Sequence, residues 1–231
     1  MKIQNNLDSK TGNHWFGFCG CNIKFTMKDI KDKKVAVLTE NGFEEVELTS
    51  PVNALQGAGV TVHIVSPQKD KVKAWAHDHW SIEIPVDKNL DVTNPEDYDM
   101  LVLPGGVFNP DKLRLNKKAI AFVQHFLEQA KPLAAICHGP QTLIETGMLD
   151  GRTMTSYWSI KTDLINAGVN WIDKEVVVDN GLVTSRSPED LEAFNKKMIE
   201  ELSEGNMLRE DNSLIQNKNK VPQLRDLLLN N

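Results

Sequence analysis

A doubly wound α/β fold, a mostly parallel sheet with helices on both faces, is predicted by three observations. Short apolar, β-branched runs alternate with segments of helical period from about residue 34 to residue 203. The first strand, helix and strand form a βαβ unit, whose right-handed crossover implies parallel pairing. Turn residues such as Gly105-Gly106 follow the apolar runs, at the strand ends where ligands gather in such sheets.

Each element can be justified in order. Lys34 to Thr39 is a short apolar run ending in Glu-Asn-Gly, a buried strand and a turn. Glu44 to Ala58 places Val46, Leu48, Val52 and Leu55 at roughly helical spacing and closes on Gly59. Pro51 interrupts it, so this helix is expected either to kink there or to restart with Ser50 as cap. Val60–Ser66 is the next strand, and the alternation over residues 72–86 suggests strand or hairpin structure. Asp99–Pro104 and Pro132–Ile136 are further buried strands. Helices are expected at Lys117–Gln129, Gly139–Glu145, Ile160–Ala167 and Pro188–Leu202. Strands at Glu175–Val178 and Leu182–Ser185 flank an Asn180-Gly181 hairpin turn.

The ends read differently. Residues 1–33, rich in Lys, Asn and Asp, are expected to be a disordered leader, with Met27 an alternative start. The apolar stretch Trp15–Cys19 is shorter than a signal-peptide core and lacks a basic flank, so no export signal is read. Residues 204–231 form a polar tail, in which Val221 to Leu229 reads as a short docking helix or a frayed terminus.

A chain of 231 residues suits one large domain or at most two small ones. Its net charge of −6 argues against nucleic acid or an anionic membrane as the main partner. No apolar run approaches the roughly 20 residues needed to cross a bilayer. Cys19, Cys21 and Cys137 cannot all pair within one chain, which fits a reducing, cytoplasmic setting. No cofactor is indicated.

Four loops at strand ends qualify for a site: Glu40–Glu47, Gly105–Asp111, Cys137–Pro140 and Ser185–Asp190. Cys137 stands immediately after a strand and before a helix, the geometry of a nucleophile elbow. The nearby helix N-terminus is expected to favour thiolate and lower the thiol pKa. His138 is adjacent and can exchange a proton with a substrate held at the sulfur. No histidine follows His138, which excludes a glutamine-amidotransferase triad and the α/β-hydrolase order.

His77 and His79, spaced i, i+2 on a strand, face the same way as metal ligands would, yet no third ligand accompanies them. A loop lining the Cys137 cleft, shaped by Trp75 or Trp80, is the preferred reading, and no metal is assigned. Arg186 is either a ligand for a substrate oxygen or half of a structural salt bridge.

Five segments together resemble the DJ-1/ThiJ/PfpI superfamily, and within it the PfpI-type intracellular proteases and stress proteins. They are Gly42-Phe-Glu-Glu-Val-Glu47, Leu103-Pro-Gly-Gly106, Ala135-Ile-Cys-His-Gly-Pro-Gln141, Leu164-Ile-Asn-Ala-Gly168 and Val183-Thr-Ser-Arg-Ser-Pro-Glu-Asp190. The resemblance spans about Lys34 to Leu202 and implies a flavodoxin-like, class I glutamine amidotransferase-like fold. It implies that Cys137 is the nucleophile, with Glu47 in hydrogen-bond reach of its sulfur. The backbone N–H groups of Gly106 and His138 would form an oxyanion hole. A third acid reaching His138 from an adjacent subunit falls on Asp111, where Asp replaces the family's Glu in a loop one residue longer; a helix N-terminal acid is the other reading. Relatives assemble as homodimers or homohexamers.

The activity so implied is thiolate attack on a carbonyl, by a cysteine-dependent hydrolase, glyoxalase or deglycase active in stress protection. Its substrate is a small reactive carbonyl or a peptide. The alternative is a redox-sensing thiol protein or chaperone, built on an exposed, low-pKa cysteine.

Overall fold

The computed structural model describes residues 30–205. The calls on residues 1–29, including Cys19 and Cys21, and on the tail from 206 onward lie outside the described residues. Ile30, assigned to the leader by sequence, is buried in the core, and Lys33 is ion-paired with Asp99 at 2.8 Å. Residues just before Lys34 therefore belong to the packed body as well.

The chain runs β1 (Lys34–Leu38), β2 (Phe43–Glu44), α1 (Glu45–Gly57), β3 (Thr61–Ser66), β4 (Lys71–Ala76), β5 (His79–Pro85) and β6 (Lys88–Asn89). There follow β7 (Met100–Leu103), α2 (Phe108–Leu115), α3 (Lys117–Glu128), β8 (Leu133–Ile136) and α4 (Gln141–Ile144). The last part holds β9 (Thr153–Met154), α5 (Lys161–Asn166), β10 (Asn170–Trp171), β11 (Val176–Asp179), β12 (Leu182–Ser185) and α6 (Leu191–Glu204).

The central sheet has the order β11-β12-β8-β7-β1-β3-β6, parallel throughout except for β11 at its edge. Strand alternation sends Val35 and Val37 to one face and Ala36 and Leu38 to the other. The first face packs on α1 and α6 through Leu48, Leu55, Phe194 and Met198. The second packs on α2 to α5 through Leu113, Phe122, Phe126, Leu143 and Leu164. Both faces are covered, as the continuous apolar strands require.

The chain leaves β1 toward β3 and later returns to β7 on the other side of β1. The loops after β1 and β7 thus part at a topological switch point, where such sheets open a crevice. The next strand, β8, delivers Cys137 to the same edge.

Three local expectations change. The helix α1 continues through Pro51 rather than restarting at Ser50; the proline forgoes the hydrogen bond to the Glu47 carbonyl, and buried Leu48 and Leu55 lie on either side of it. Expected from Gly139, α4 spans only four residues, and the helix at Pro188 begins as a 3₁₀ turn before α6. Residues 72–86 form an antiparallel β4–β5 hairpin in a separate small sheet with β2. Among the described residues no helix is long and apolar enough to cross a membrane.

Candidate active site

Cys137 adopts a left-handed backbone with φ of 60°, which costs a non-glycine residue roughly 1–2 kcal/mol. The strain is held by the backbone on both sides. Cys137 N–H donates to the Ser185 carbonyl at 3.0 Å, and its own carbonyl accepts from Tyr157 N–H at 2.9 Å. Gly139 completes the elbow: a Cβ there would lie 2.5 Å from the Leu103 carbonyl oxygen. Only glycine lets α4 pack so close to β7.

Glu47, in the first turn of α1, is fully buried, and its Oε2 accepts from Gly105 N–H at 2.9 Å. Its carboxyl and the Cys137 thiol perturb each other electrostatically, while its Oε1 is buried with no hydrogen-bond partner among the described residues. Burial, above all, pushes the Glu47 pKa up to about 8. The same burial, reinforced by the Glu47 charge, drives the Cys137 thiol well above its ordinary range. The backbone N–H groups of His138 and Gly106 pull in the opposite direction.

The expectation of a lowered thiol pKa is therefore corrected. A four-residue α4 supplies little dipole, while the sulfur is only 6% exposed and stands beside a carboxylate. The physical unit is a coupled pair that retains one proton, because two adjacent buried anions repel.

His138 places Nδ1 3.2 Å from the Cys137 sulfur and Nε2 2.9 Å from Ser159 Oγ. Its ring stacks on Tyr157 at 4.8 Å between centroids, and burial holds its pKa below the usual value. Gly106 has φ of 81°, and a Cβ there would sit 2.4 Å from the Gly42 carbonyl oxygen.

These groups face a cavity of about 610 Å³. The wall opposite Cys137 comes from Trp75, His77 and Phe108, with Glu44 beside them. Glu44 is half-buried, and burial raises its pKa. Tyr157 and Ser159 were not singled out by sequence. They arrive from the loop after β9, where no motif marks them.

The remaining calls find other places. Trp80 lies outside this cavity, stacked on Phe108 at 6.1 Å, while its neighbour Trp75 lines it. His77 and His79 do not share a strand face: His77 sits in the hairpin turn with φ of 56°, and His79 bonds Asp78. Among the described residues no group of three or more His, Cys, Asp or Glu could hold a metal. Arg186 makes paired bonds of 2.8 and 2.9 Å to Asp190 and a third, of 2.8 Å, to Asp173. That is the salt-bridge reading. Asp111 is exposed in the first turn of α2 and lies outside the cavity of a single chain.

The chain is similar to known proteins in sequence and in fold. The DJ-1/PfpI family profile matches residues 33–201. "Putative cysteine protease YraA" of Bacillus subtilis is 45% identical over 167 residues, covering 72% of this chain and 96% of that protein. "Deglycase PfpI" of Pyrococcus furiosus is also 45% identical, over 166 residues, covering 72% and 97%. A two-domain protein from Anabaena variabilis, containing DJ-1/ThiJ/PfpI-like and ferritin-like domains, superposes with a TM-score of 0.70 at 37% identity. The match covers 74% of this chain and 48% of that one. By sequence profile, by relatives and by fold, the chain belongs to the DJ-1/PfpI family.

Proposed function

We propose that this chain is a cysteine-dependent enzyme that converts small reactive carbonyls, as a glyoxalase or as a deglycase of their adducts, in stress protection. One observation carries the reading: a thiol, a buried carboxyl and two backbone N–H groups converge on one cavity of about 610 Å³. That volume lies in the range of small-molecule pockets. The names of two relatives, a deglycase and a cysteine protease, support the reaction class.

The chemistry follows from the pair. In the fraction of molecules in which Glu47 is ionised, its carboxylate takes the thiol proton as the sulfur attacks the aldehyde carbon of methylglyoxal, so that charge is not left on two adjacent groups. An S–C bond forms, and the carbonyl π electrons move to oxygen, where the N–H groups of Gly106 and His138 receive them. A proton then passes from the former aldehyde carbon to the ketone carbon by way of His138, Glu47 returns the thiol's proton to the ketone oxygen, and the electron pair of the oxyanion closes the new C=O, which turns the hemithioacetal into a thioester. Water then releases lactate and restores the thiol, so the sum is methylglyoxal plus water to lactate. A pKa near 8 suits Glu47 to a proton that must move both ways near neutral pH. In a homodimer or homohexamer, Asp111 of a second copy would orient His138.

Peptide hydrolysis uses the same attack and is the second activity to assay. The redox-sensor reading loses ground, because it needs an exposed, acidic thiol and Cys137 is buried with its pKa raised.

The test is lactate formation from methylglyoxal by wild type and Cys137→Ser. Turnover by the wild type alone supports the proposal. Equal rates would remove Cys137 from the mechanism, and no turnover by the wild type would end the glyoxalase reading. Peroxide modification of Cys137 in a protein without turnover would favour the sensor.

A further inference from the structure

One buried polar side chain beside the site has no part in the chemistry above. Asn109, the second residue of α2, is 0% exposed and does not line the cavity. Its amide is nevertheless fully engaged. Oδ1 accepts from Glu40 N–H at 2.7 Å and stands 3.4 Å from the Thr39 hydroxyl. Nδ2 donates to the Pro104 carbonyl at 2.8 Å and to the Gly105 carbonyl at 3.1 Å. The orientation of the amide follows from its neighbours, since a backbone N–H needs an acceptor and the two carbonyls need donors.

The Gly105 carbonyl belongs to the peptide unit whose N–H is that of Gly106. A trans peptide is planar, so pointing the C=O at Asn109 points the N–H the opposite way. Gly106 lines the same cavity as Cys137, and its N–H is one of the two that lower the thiol's pKa. Without restraint this unit is unusually free to rotate, because it lies between two glycines. Among the described residues the only other hydrogen bond to the Gly105 carbonyl is a long one, from Glu44 N–H at 3.4 Å.

The geometry points to Asn109 as a positioning residue that locks the Gly105–Gly106 peptide with its N–H toward the sulfur and the developing oxyanion. The inference rests on the reading that this N–H serves the carbonyl reaction. The bland counterpart is a structural staple between the loops after β1 and β7, which would affect stability only.

The two are separated by Asn109→Ala and by the milder Asn109→Ser, whose hydroxyl can still donate to one carbonyl. Both are neutral, so no new charge perturbs the thiol. Folding is checked by near-ultraviolet circular dichroism at the assay temperature. Because the hydrogen bond acts mainly in the transition state, kcat for methylglyoxal should fall roughly tenfold to a hundredfold in Asn109→Ala, with KM within about threefold of wild type. Asn109→Ser should fall less.

The second readout does not need turnover. The pH midpoint for alkylation of Cys137 by iodoacetamide, followed by mass spectrometry, should rise in both variants, because the thiolate loses a hydrogen bond. A folded variant whose alkylation midpoint equals that of wild type overturns the inference. If Asn109→Ala does not fold, Asn109→Ser decides. If wild type makes no lactate, the carbonyl reading fails, and the alkylation midpoint still tests the lock.

Discussion

The two walls of the Cys137 cavity are built on different principles. The inner wall, made of Glu47, Gly106 and Cys137 and backed from behind by Gly105 and Asn109, is buried, and backbone groups supply most of the polar contacts around it. The outer wall, made of the β4–β5 hairpin, the start of α2 and residues 157–159, is aromatic and open. Phe108 is 46% exposed there and Trp158 47%. The inner wall can dictate proton and charge placement because nothing in it can relax without breaking a buried contact. Of the outer wall, Tyr157 and Ser159 touch His138, whereas the rings of Trp75 and Phe108 contact each other. On the proposed function, Trp75 and Phe108 would act on substrate fit rather than on the chemistry.

Substitutions can break or sharpen that contrast. The largest effect is expected at the inner wall. Glu47→Gln keeps the shape but removes the proton acceptor, and steady-state kinetics should show kcat down by about 10² to 10⁴. Gly105→Ala should be nearly as harmful, since a Cβ would sit 2.5 Å from Glu47 Oε2 and 2.8 Å from Cys137 Cβ. Overpacking of that kind costs about 1–3 kcal/mol, visible in the denaturation midpoint, together with loss of turnover. An alanine at 105 with normal stability and activity would mean that the inner wall is softer than argued.

Glu47 also makes a pH prediction. Its pKa rises from 4.5 unfolded to about 8 folded, so the folded state binds more protons through that interval. Stability from this group is full below pH 4.5 and is lost as pH rises through 8. Denaturant titrations at pH 5 and pH 8 should show wild type losing stability relative to Glu47→Gln across that window. Parallel behaviour of the two proteins would contradict the buried, protonated carboxyl.

The smallest effect belongs to the outer wall. Phe108→Ala should change KM by only a few fold and leave kcat and the pH profile in place, because no proton or oxyanion depends on it. A collapse of kcat in that variant would erase the distinction between the walls.

How much was legible in the sequence follows the same division. Strand ends and the glycine pair located Cys137 and the loops that carry Glu47 and Gly106, while the roles of Glu47 and Gly106 came only from the resemblance to the family. The parallel sheet and its helices were readable from apolar runs and their periods. The outer wall was not, because a hairpin's register decides which of Trp75 and Trp80 faces the cavity, and alternation alone does not say which. Tyr157 and Ser159 come from a loop without a motif. The thiol pKa was misread for a physical reason: the dipole of a helix start is local, whereas burial beside Glu47 depends on a residue ninety positions away.

The central claim is that Cys137 itself forms the bond to the carbonyl. Its most direct test is peptide mass spectrometry of protein quenched during turnover of methylglyoxal. The account predicts an adduct of one methylglyoxal unit on the peptide containing Cys137, absent from Cys137→Ser. Adducts confined to lysine and arginine side chains, with Cys137 unmodified while lactate accumulates, would contradict it.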